Sequence, residues 1–162
     1  MSRLDVFIDR MVSQRASIDF AVRQTANLPG PVFELGLGNG RTYSHLCEIL
    51  PNSEIFVFER AVASNPASTP PDNRVLLGDV FDTLPAALAR FGPTARFIHA
   101  DLGGHNLQKN DEFARKISPL VEPLLAKGGL MVSSDRMYFA NLTELPIPDG
   151  VVPGRSFLYR AE

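Results

Sequence analysis

Short apolar runs and helical patterns alternate along the chain, and this alternation predicts an open α/β sheet. The runs of strand character lie at 32–35, 54–59, 74–79, 94–102 and 130–132. Between most of them, apolar residues recur at three- and four-residue steps, which is the period of a helix face. These helical segments are 42–50, 84–91 and 113–125. Strands that alternate with helices are typical of a sheet whose ligands bind at the carboxyl ends of its strands.

Both ends of the chain extend this pattern. The N-terminal segment 1–28 contains an amphipathic helix, and a second helical stretch is expected at 18–25. The apolar face of the first helix consists of Leu4, Phe7, Ile8, Met11 and Val12. These helices could cover a ligand pocket, form a partner surface or pack on the sheet. In the C-terminal tail, 141–147 and 156–159 suit two further strands separated by turns that contain Pro and Gly.

Three places depart from a regular alternation. The segment 61–73 contains three prolines and supports no full helix, and none is predicted between Asp135 and Asn141. The long helical segment 113–125 contains Pro119, so a kink or a restart is expected near Ser118.

The most distinctive stretch is 31–41, P-V-F-E-L-G-L-G-N-G-R, where a strand leads through an acid into three glycines. Gly36, Gly38 and Gly40 lie on a strand-to-helix turn and allow the backbone to approach a ligand closely. A dinucleotide fingerprint would need a third glycine at the position of Arg41. A nicotinamide enzyme and a turn without any ligand are therefore the less favoured alternatives.

Acids accompany three of the predicted strands: Glu34, Glu59 and Asp79. Glu59 lies nineteen residues after Gly40, near the spacing at which an acid accepts the hydroxyl hydrogens of a ribose. Asp79 could accept a hydrogen bond from an adenine amine, or it could cap the helix that follows it.

The chain resembles the class I S-adenosylmethionine (AdoMet) methyltransferases at five motifs. In order, these are E-L-G-L-G-N-G at 34–40, Glu59, G-D at 78–79, A-D-L at 100–102 and G-G-L at 128–130. It is also similar to a small bacterial subfamily described only as S-adenosyl-L-methionine methyltransferases. The resemblance implies a Rossmann-like class I methyltransferase fold. Such a fold has a mostly parallel sheet with a C-terminal antiparallel strand and helices on both faces, here abbreviated after strands 2 and 5.

AdoMet is the cofactor that this resemblance implies. Glu34 and the glycine loop would receive its methionine portion, Glu59 its ribose, and Asp79 with Val80 its adenine. Asp101 would lie near the sulfonium or the acceptor. The implied cofactor-binding residues are Glu34, Gly36, Gly38, Asn39, Gly40, Thr42, Glu59, Arg60, Gly78, Asp79, Val80, Asp101 and Leu102.

Methyl transfer needs an aligned acceptor and, where the acceptor is an O–H or N–H group, a proton acceptor. The candidates are His99, Asp101 and His105, and His99 is equally compatible with a hydrogen-bonded core residue. The F-I-H-A-D-L strand is similar to one in metal-dependent catechol-type O-methyltransferases, which gives an alternative in which His99, Asp101 and Asp135 hold a divalent cation. A histidine in place of an oxygen ligand and the positive charge of Arg136 weigh against it, so no metal is expected.

Composition bears on domains and partners. The 162 residues predict one AdoMet-binding domain, 1–162, without room for a separate substrate domain. A net charge of −2 and the lack of a Lys or Arg run argue against nucleic acid, which leaves a small-molecule methyl acceptor. Because the usual substrate-binding elements are missing, a homo-oligomer is expected to complete the acceptor pocket.

The expected function is methyl transfer from AdoMet to that small molecule. A non-catalytic AdoMet-binding module, such as a sensor or a partner subunit, is the alternative, because no N/D-P-P-Y/F motif follows the fourth strand. The single cysteine, Cys47, is predicted to lie in the core and allows no disulfide within the chain, which suits the cytoplasm. No apolar run approaches the roughly 18 residues of a membrane span, so no membrane partner is expected.

Overall fold

A computed structural model describes the whole chain from Met1 to Glu162. Its helices are α1 (Arg3–Gln24), α2 (Arg41–Ile49), α3 (Val80–Phe91) and α4 (Leu107–Val121). Its strands are β1 (Val32–Leu35), β2 (Ile55–Glu59), β3 (Val75–Leu77), β4 (Ala95–Ala100), β5 (Leu125–Ser133), β6 (Leu142–Leu145) and β7 (Phe157–Ala161). None of the helices is both long and apolar enough to cross a membrane.

All seven strands form one sheet in the order β3-β2-β1-β4-β5-β7-β6. The strands from β3 to β5 are parallel, and β7 lies antiparallel between β5 and β6. The strand order reverses between β1 and β4, and the carboxyl ends of such a pair flank the crevice in which open sheets bind ligands. The predicted mostly parallel sheet with a C-terminal antiparallel strand is confirmed.

Helices cover both faces of the sheet because its central strands are apolar on both sides. One face packs against Leu84 of α3 and Ile117 of α4. The opposite face packs against Ile18 of α1 and Leu46 of α2. All four residues of β1 are buried between these two layers.

The connections after β2 and β5 contain no α-helix, as predicted. Two 3-10 turns, Pro66–Ser68 and Asp72–Arg74, replace a helix between β2 and β3, and no helix joins β5 to β6. The helix does not restart near Ser118, because α4 continues through Pro119 to Val121. Pro119 lies on the exposed side of the helix, where the carbonyl that it leaves without a partner can be hydrated.

The N-terminal region forms one helix rather than two, and its buried face differs from the predicted one. α1 begins at a capping box between Ser2 and Asp5 and continues for 22 residues. Leu4 is 65% exposed, and Phe7 and Ile8 are each 48% exposed. The buried residues lie further along, at Ser13, Gln14, Ser17, Ile18 and Ala21. The first half of α1 therefore extends past the edge of the sheet, where no core lies beneath it.

This arrangement predicts different effects for one substitution at two places on α1. Ile18→Val should lower the free energy of unfolding by about 1 kcal/mol, because it removes a buried methyl group from a residue that is 1% exposed. Ile8→Val on the exposed half should cost less than about 0.5 kcal/mol. Urea denaturation of both variants would measure this. Equal losses would mean that the first half of α1 is also packed in solution.

Cys47 is exposed, contrary to its predicted place in the core. The buried residues of α2 are Tyr43 and Leu46. Cys47 follows Leu46 by one residue, which turns it about 100° away from the sheet at 3.6 residues per turn.

Candidate active site

The glycine loop joins β1 to α2 at the carboxyl edge of the sheet, and its backbone requires glycine. Gly36 has a φ of +89°, and a Cβ there would lie 2.8 Å from the carbonyl oxygen of Asp101. Gly40 has a φ of +86° and precedes α2 without a capping side chain. The loop thus lies tightly against the end of β4, and the first N–H groups of α2 have no side-chain acceptor.

Glu59 ends β2 beside this loop and accepts four backbone hydrogen bonds. Its Oε2 accepts from the N–H groups of Leu37 at 2.8 Å and Gly38 at 3.3 Å. Its Oε1 accepts from Arg60 at 2.7 Å and Ala61 at 3.3 Å. Burial opposes ionisation, but the four donors prevail and lower the pKa of Glu59. An ionised carboxylate therefore holds the loop in place.

The first cleft, of about 340 Å³, opens at the carboxyl ends of β1, β2 and β3. It is lined by Gly36, Gly38, Phe58, Glu59, Arg60, Asp79, Val80, Asp101, Leu102 and Phe113. Asp79 also caps α3, because its Oδ1 accepts from the N–H of Phe81 at 2.9 Å. Its other carboxylate oxygen accepts no hydrogen bond, so the capping role leaves one oxygen available to a ligand.

The second cleft, of about 270 Å³, lies between the glycine loop and the overhanging half of α1. It is lined by Phe7, Arg10, Met11, Gln14, Gly36, Leu37, Gly38, Asn39, Arg41, Thr42, Asp101 and Gly103. The N-terminal helix α1 therefore covers one side of this cleft, as expected if it covers a ligand pocket.

Asp101 follows β4 and is held by side chains from α1 and from the residue after β5. Arg10 Nη2 donates to its two carboxylate oxygens at 3.0 and 2.8 Å. Gln14 Nε2 donates at 3.1 Å and Ser134 Oγ at 2.9 Å. Burial raises the pKa of this carboxyl, but the positive charge of Arg10 and the hydrogen bonds outweigh burial, so the pKa of Asp101 is lowered. The group is an anion at neutral pH.

Glu34 and His99 form a buried ion pair behind the clefts. Both side chains are essentially enclosed, at 0% and 1% exposure, and His99 Nδ1 lies 2.7 Å from Glu34 Oε2. Thr42 Oγ1 donates to the other oxygen of Glu34. Burial disfavours the charged imidazole, but the charge of Glu34 and its hydrogen bond prevail and raise the pKa of His99. Neither side chain has a surface that faces a cleft.

The third pocket, of about 350 Å³, lies on the far side of Asp101 from the glycine loop. It is lined by Arg10, Asp101, Gly103, Gly104, Leu107, Asn110, Asp111, Ser134, Asp135, Arg136, Gly154, Arg155 and Phe157. Asp135 Oδ1 accepts from Asn110 Nδ2 at 3.2 Å. Burial raises the pKa of Asp135, and that hydrogen bond only partly offsets the effect.

The remaining predicted residues lie apart from these cavities. Gly40 and Gly78 line none of the three, and His105 is an exposed loop residue before α4. No group of three His, Cys, Asp or Glu side chains is arranged to hold a metal ion. His99 turns towards Glu34, whereas Asp101 turns towards Arg10, so the alternative metal site is not assembled.

The sequence did not indicate several residues that line the cavities. Arg10 lies 91 positions before Asp101, and no periodicity links them. Phe113 reaches the first cleft from α4, where its ring meets that of Phe81 edge-on at 5.7 Å between centroids. Arg155 precedes β7 in a segment that the sequence marked only as a turn. A weak signal existed for Phe113 alone, as an apolar residue at the start of a helical stripe.

The sheet order, the glycine loop and the carboxylates around it define a class I AdoMet methyltransferase fold. The sequence matches the S-adenosyl-L-methionine methyltransferase family over residues 1–161, and the chain belongs to this family. It is a methyltransferase with AdoMet as its cofactor. The expected cofactor and enzyme class are therefore confirmed, and the non-catalytic alternative is set aside.

Solved structures agree with this assignment. An S-adenosyl-L-methionine methyl transferase from Silicibacter pomeroyi DSS-3 is 67% identical, with a TM-score of 0.97 over 100% of this chain and 99% of that chain. An RNA methyltransferase from Salinibacter ruber, in complex with S-adenosyl-L-homocysteine, is 16% identical, with a TM-score of 0.54 over 91% of this chain and 88% of that one. No curated protein matches the sequence.

A third similar structure is a 16S rRNA adenine N(1)-methyltransferase from Catenulisporales acidiphilia. It is 13% identical, with a TM-score of 0.50 over 88% of this chain and 87% of that chain. Two proteins named for RNA methylation thus share this fold over most of the chain. These neighbours contradict the prediction of no nucleic-acid partner, and the predicted small-molecule acceptor is not confirmed. That prediction relied on net charge and on the lack of a basic run. The homo-oligomer stays a prediction.

Proposed function

We propose that the protein transfers the methyl group of AdoMet to a nucleotide of RNA, as one domain acting in the cytoplasm. The observation that carries the proposal is the position of Asp101, which lines the first and second clefts and also the third pocket. A cofactor in the two clefts and an acceptor in the third pocket would meet at this residue. RNA is the proposed acceptor class because two structures of this fold are named RNA methyltransferases.

The first cleft suits the adenosine portion of AdoMet. Glu59 would accept hydrogen bonds from the ribose hydroxyls, since each carboxylate oxygen has more than one acceptor site. Asp79, with one free oxygen, would accept from the adenine amine, and Val80, Leu102 and Phe113 supply apolar surface for the ring. Arg60 lines the same cleft.

The second cleft suits the methionine portion. The alternate glycines let the backbone approach it, and Asn39 and Thr42 line the same space. Because Glu34 is enclosed, we propose that it acts indirectly by fixing Thr42. Gly40 and Gly78 would shape the two loops rather than contact the cofactor.

Bound AdoMet supplies a methyl group on a positively charged sulfonium. Asp101, an anion beside that position, would stabilise the positive charge of the cofactor and align the acceptor. Its lowered pKa makes it a poor proton acceptor at neutral pH. His99 is enclosed and His105 lies outside the cavities. Of the three candidate catalytic residues, we therefore propose a role for Asp101 alone, which is to position the acceptor.

Two measurements test the proposal. Calorimetry should show binding of S-adenosylhomocysteine and no binding of NAD. Radiolabelled AdoMet should then transfer its methyl group to 30S subunits or to purified ribosomal RNA prepared from a strain that lacks the protein. Failure to bind S-adenosylhomocysteine would contradict the proposed cofactor clefts. Binding without labelling of any RNA fraction would instead contradict the proposed acceptor.

A further inference from the structure

The third pocket contains a guanidinium and a carboxylate oxygen that have no protein partner. The Arg155 side chain lines the pocket, yet it makes no hydrogen bond or ion pair, and only its backbone N–H is bonded, to Val152 at 3.1 Å. Asp135 uses Oδ1 to accept from Asn110, whereas Oδ2 accepts no hydrogen bond. The two residues also do not pair with each other.

Every other charged group in this pocket is already paired. Arg10 binds Asp101. Arg136 binds Glu144 through two hydrogen bonds of 3.0 and 3.1 Å. Asp111, the remaining acid, accepts from Arg115 at 2.9 Å and from the Tyr138 hydroxyl. The unmatched charges in the pocket are therefore one cation and one half-satisfied anion.

A free guanidinium and a half-satisfied carboxylate that line one cavity fit a ligand with both an anionic group and a hydrogen-bond donor. A nucleotide within RNA has both, a phosphate on the backbone and N–H groups on the base. A guanidinium matches phosphate geometry, and a carboxylate matches an exocyclic amine. The volume of about 350 Å³ falls within the range of ligand pockets, which is roughly 300–1,000 Å³.

We propose that Arg155 binds a backbone phosphate of the acceptor RNA, while Asp135 Oδ2 accepts a hydrogen bond from the base to be methylated. This inference rests on the proposed function, and it assigns the third pocket to a single nucleotide. The other arginines of the pocket, Arg10 and Arg136, are paired, so Arg155 is the cation of this pocket that is free to bind a phosphate.

The test for Arg155 measures binding of a short fluorescein-labelled single-stranded oligoribonucleotide, with S-adenosylhomocysteine at saturation. Arg155→Ala should weaken binding about tenfold, because a charge-assisted contact to phosphate is lost. The slope of log K against log salt should become shallower by about 0.7, as expected for one lost phosphate contact on a single strand. Arg155→Lys keeps the charge and should retain this slope.

Arg23→Ala is the matched control, because Arg23, an exposed residue of α1, likewise has no side-chain partner and its loss changes the net charge equally. If Arg155→Ala and Arg23→Ala behave alike, the phosphate contact is overturned. Calorimetric binding of S-adenosylhomocysteine by each variant shows that it is folded. The same measurement separates the proposed cofactor clefts from the proposed phosphate contact. If the unaltered protein failed to bind S-adenosylhomocysteine, the cofactor clefts would be contradicted, but the contact of Arg155 would not.

The test for Asp135 is whether its substitution weakens or strengthens binding of the oligoribonucleotide. If Asp135 accepts from a base, Asp135→Ala should weaken binding of the oligoribonucleotide about tenfold without changing its salt slope. If the carboxylate only repels the RNA backbone, the same variant should bind more tightly. Tighter or unchanged binding would overturn the base contact.

Discussion

Replacing Glu34 with alanine is expected to lower the free energy of unfolding by about 3–5 kcal/mol. The substitution leaves His99 buried at 1% exposure without its anionic partner, and it also removes the acceptor of Thr42. Desolvation makes an unpaired buried charge costly, so this effect should exceed that of removing one partner of an exposed ion pair. Urea denaturation without cofactor measures it directly.

The pair of Asp19 and His45 provides a matched control. His45 Nε2 lies 2.6 Å from Asp19 Oδ1, but both side chains are about one third exposed. Water can replace the lost carboxylate there, and Asp19→Ala should cost less than about 1 kcal/mol. Glu34→Gln, which keeps the shape and one acceptor oxygen, provides a milder variant should Glu34→Ala fail to fold. A loss at Glu34 no larger than that at Asp19 would contradict a buried ion pair.

The pH dependence of the same pair has a defined sign. The pKa of His99 is raised above 6.5, its ordinary value in the unfolded chain. Its ion pair therefore contributes fully to stability below pH 6.5 and loses this contribution as the pH rises through the folded-state pKa. The difference in free energy of unfolding between the protein and its His99→Gln variant should therefore become smaller as the pH rises from 6.5 through the folded-state pKa of His99. A difference that grows with pH would mean that His99 is neutral when buried.

The sequence predicted those parts of the fold that depend on neighbouring residues. Strands, the glycine loop and the shortened connections follow from apolar runs, glycine spacing and prolines, each of which acts over a few positions. The extent of α1 did not follow in the same way. Its apolar stripe at Leu4, Phe7 and Ile8 shows that a helix forms, but whether a core lies beneath that stripe depends on where the sheet ends.

The sequence assigned each of the three acids near strand ends to a different part of the cofactor, but in the fold only two of them line a cleft. Glu34 lies inside β1 and pairs with His99, Glu59 is the last residue of β2 and faces the loop, and Asp79 follows β3 and caps α3. A shift of one position at a strand end decides between burial and the cleft, because successive side chains point to opposite faces. Element boundaries are what a single sequence defines least well.

The partners of Asp101 were beyond prediction for a different reason. Arg10, Gln14 and Ser134 come from α1 and from the end of β5, and only the packed fold brings them together. The same applies to Arg155, whose lack of a partner is a property of the pocket. Net charge was also a poor guide to nucleic-acid binding, because it counts paired and unpaired arginines equally.

Glu59→Ala is expected to weaken the binding of S-adenosylhomocysteine about ten- to hundredfold, the range for hydrogen bonds to a charged group. The substitution removes the proposed acceptor of the ribose hydroxyls. It also releases the N–H groups of Leu37 and Gly38, which fix the glycine loop against β2. Binding should therefore lose both a direct contact and the order of the loop. Isothermal titration calorimetry measures the change in Kd.

Glu54→Ala is the control at the opposite end of β2. Glu54 is exposed and pairs only with Arg74 at 3.0 Å, far from the carboxyl edge, so its loss should leave the Kd unchanged. Glu59→Gln separates the two effects. An amide still offers one oxygen to the loop or to the ribose, so its Kd should fall between those of Glu59→Ala and the unaltered protein.

Because the pKa of Glu59 is already lowered, affinity should stay constant above pH 4.5 and decline as the pH falls through the folded-state pKa. If Glu59→Ala bound as tightly as Glu54→Ala, the ribose would not lie at β2, and the first cleft would lose its assignment to the adenosine portion.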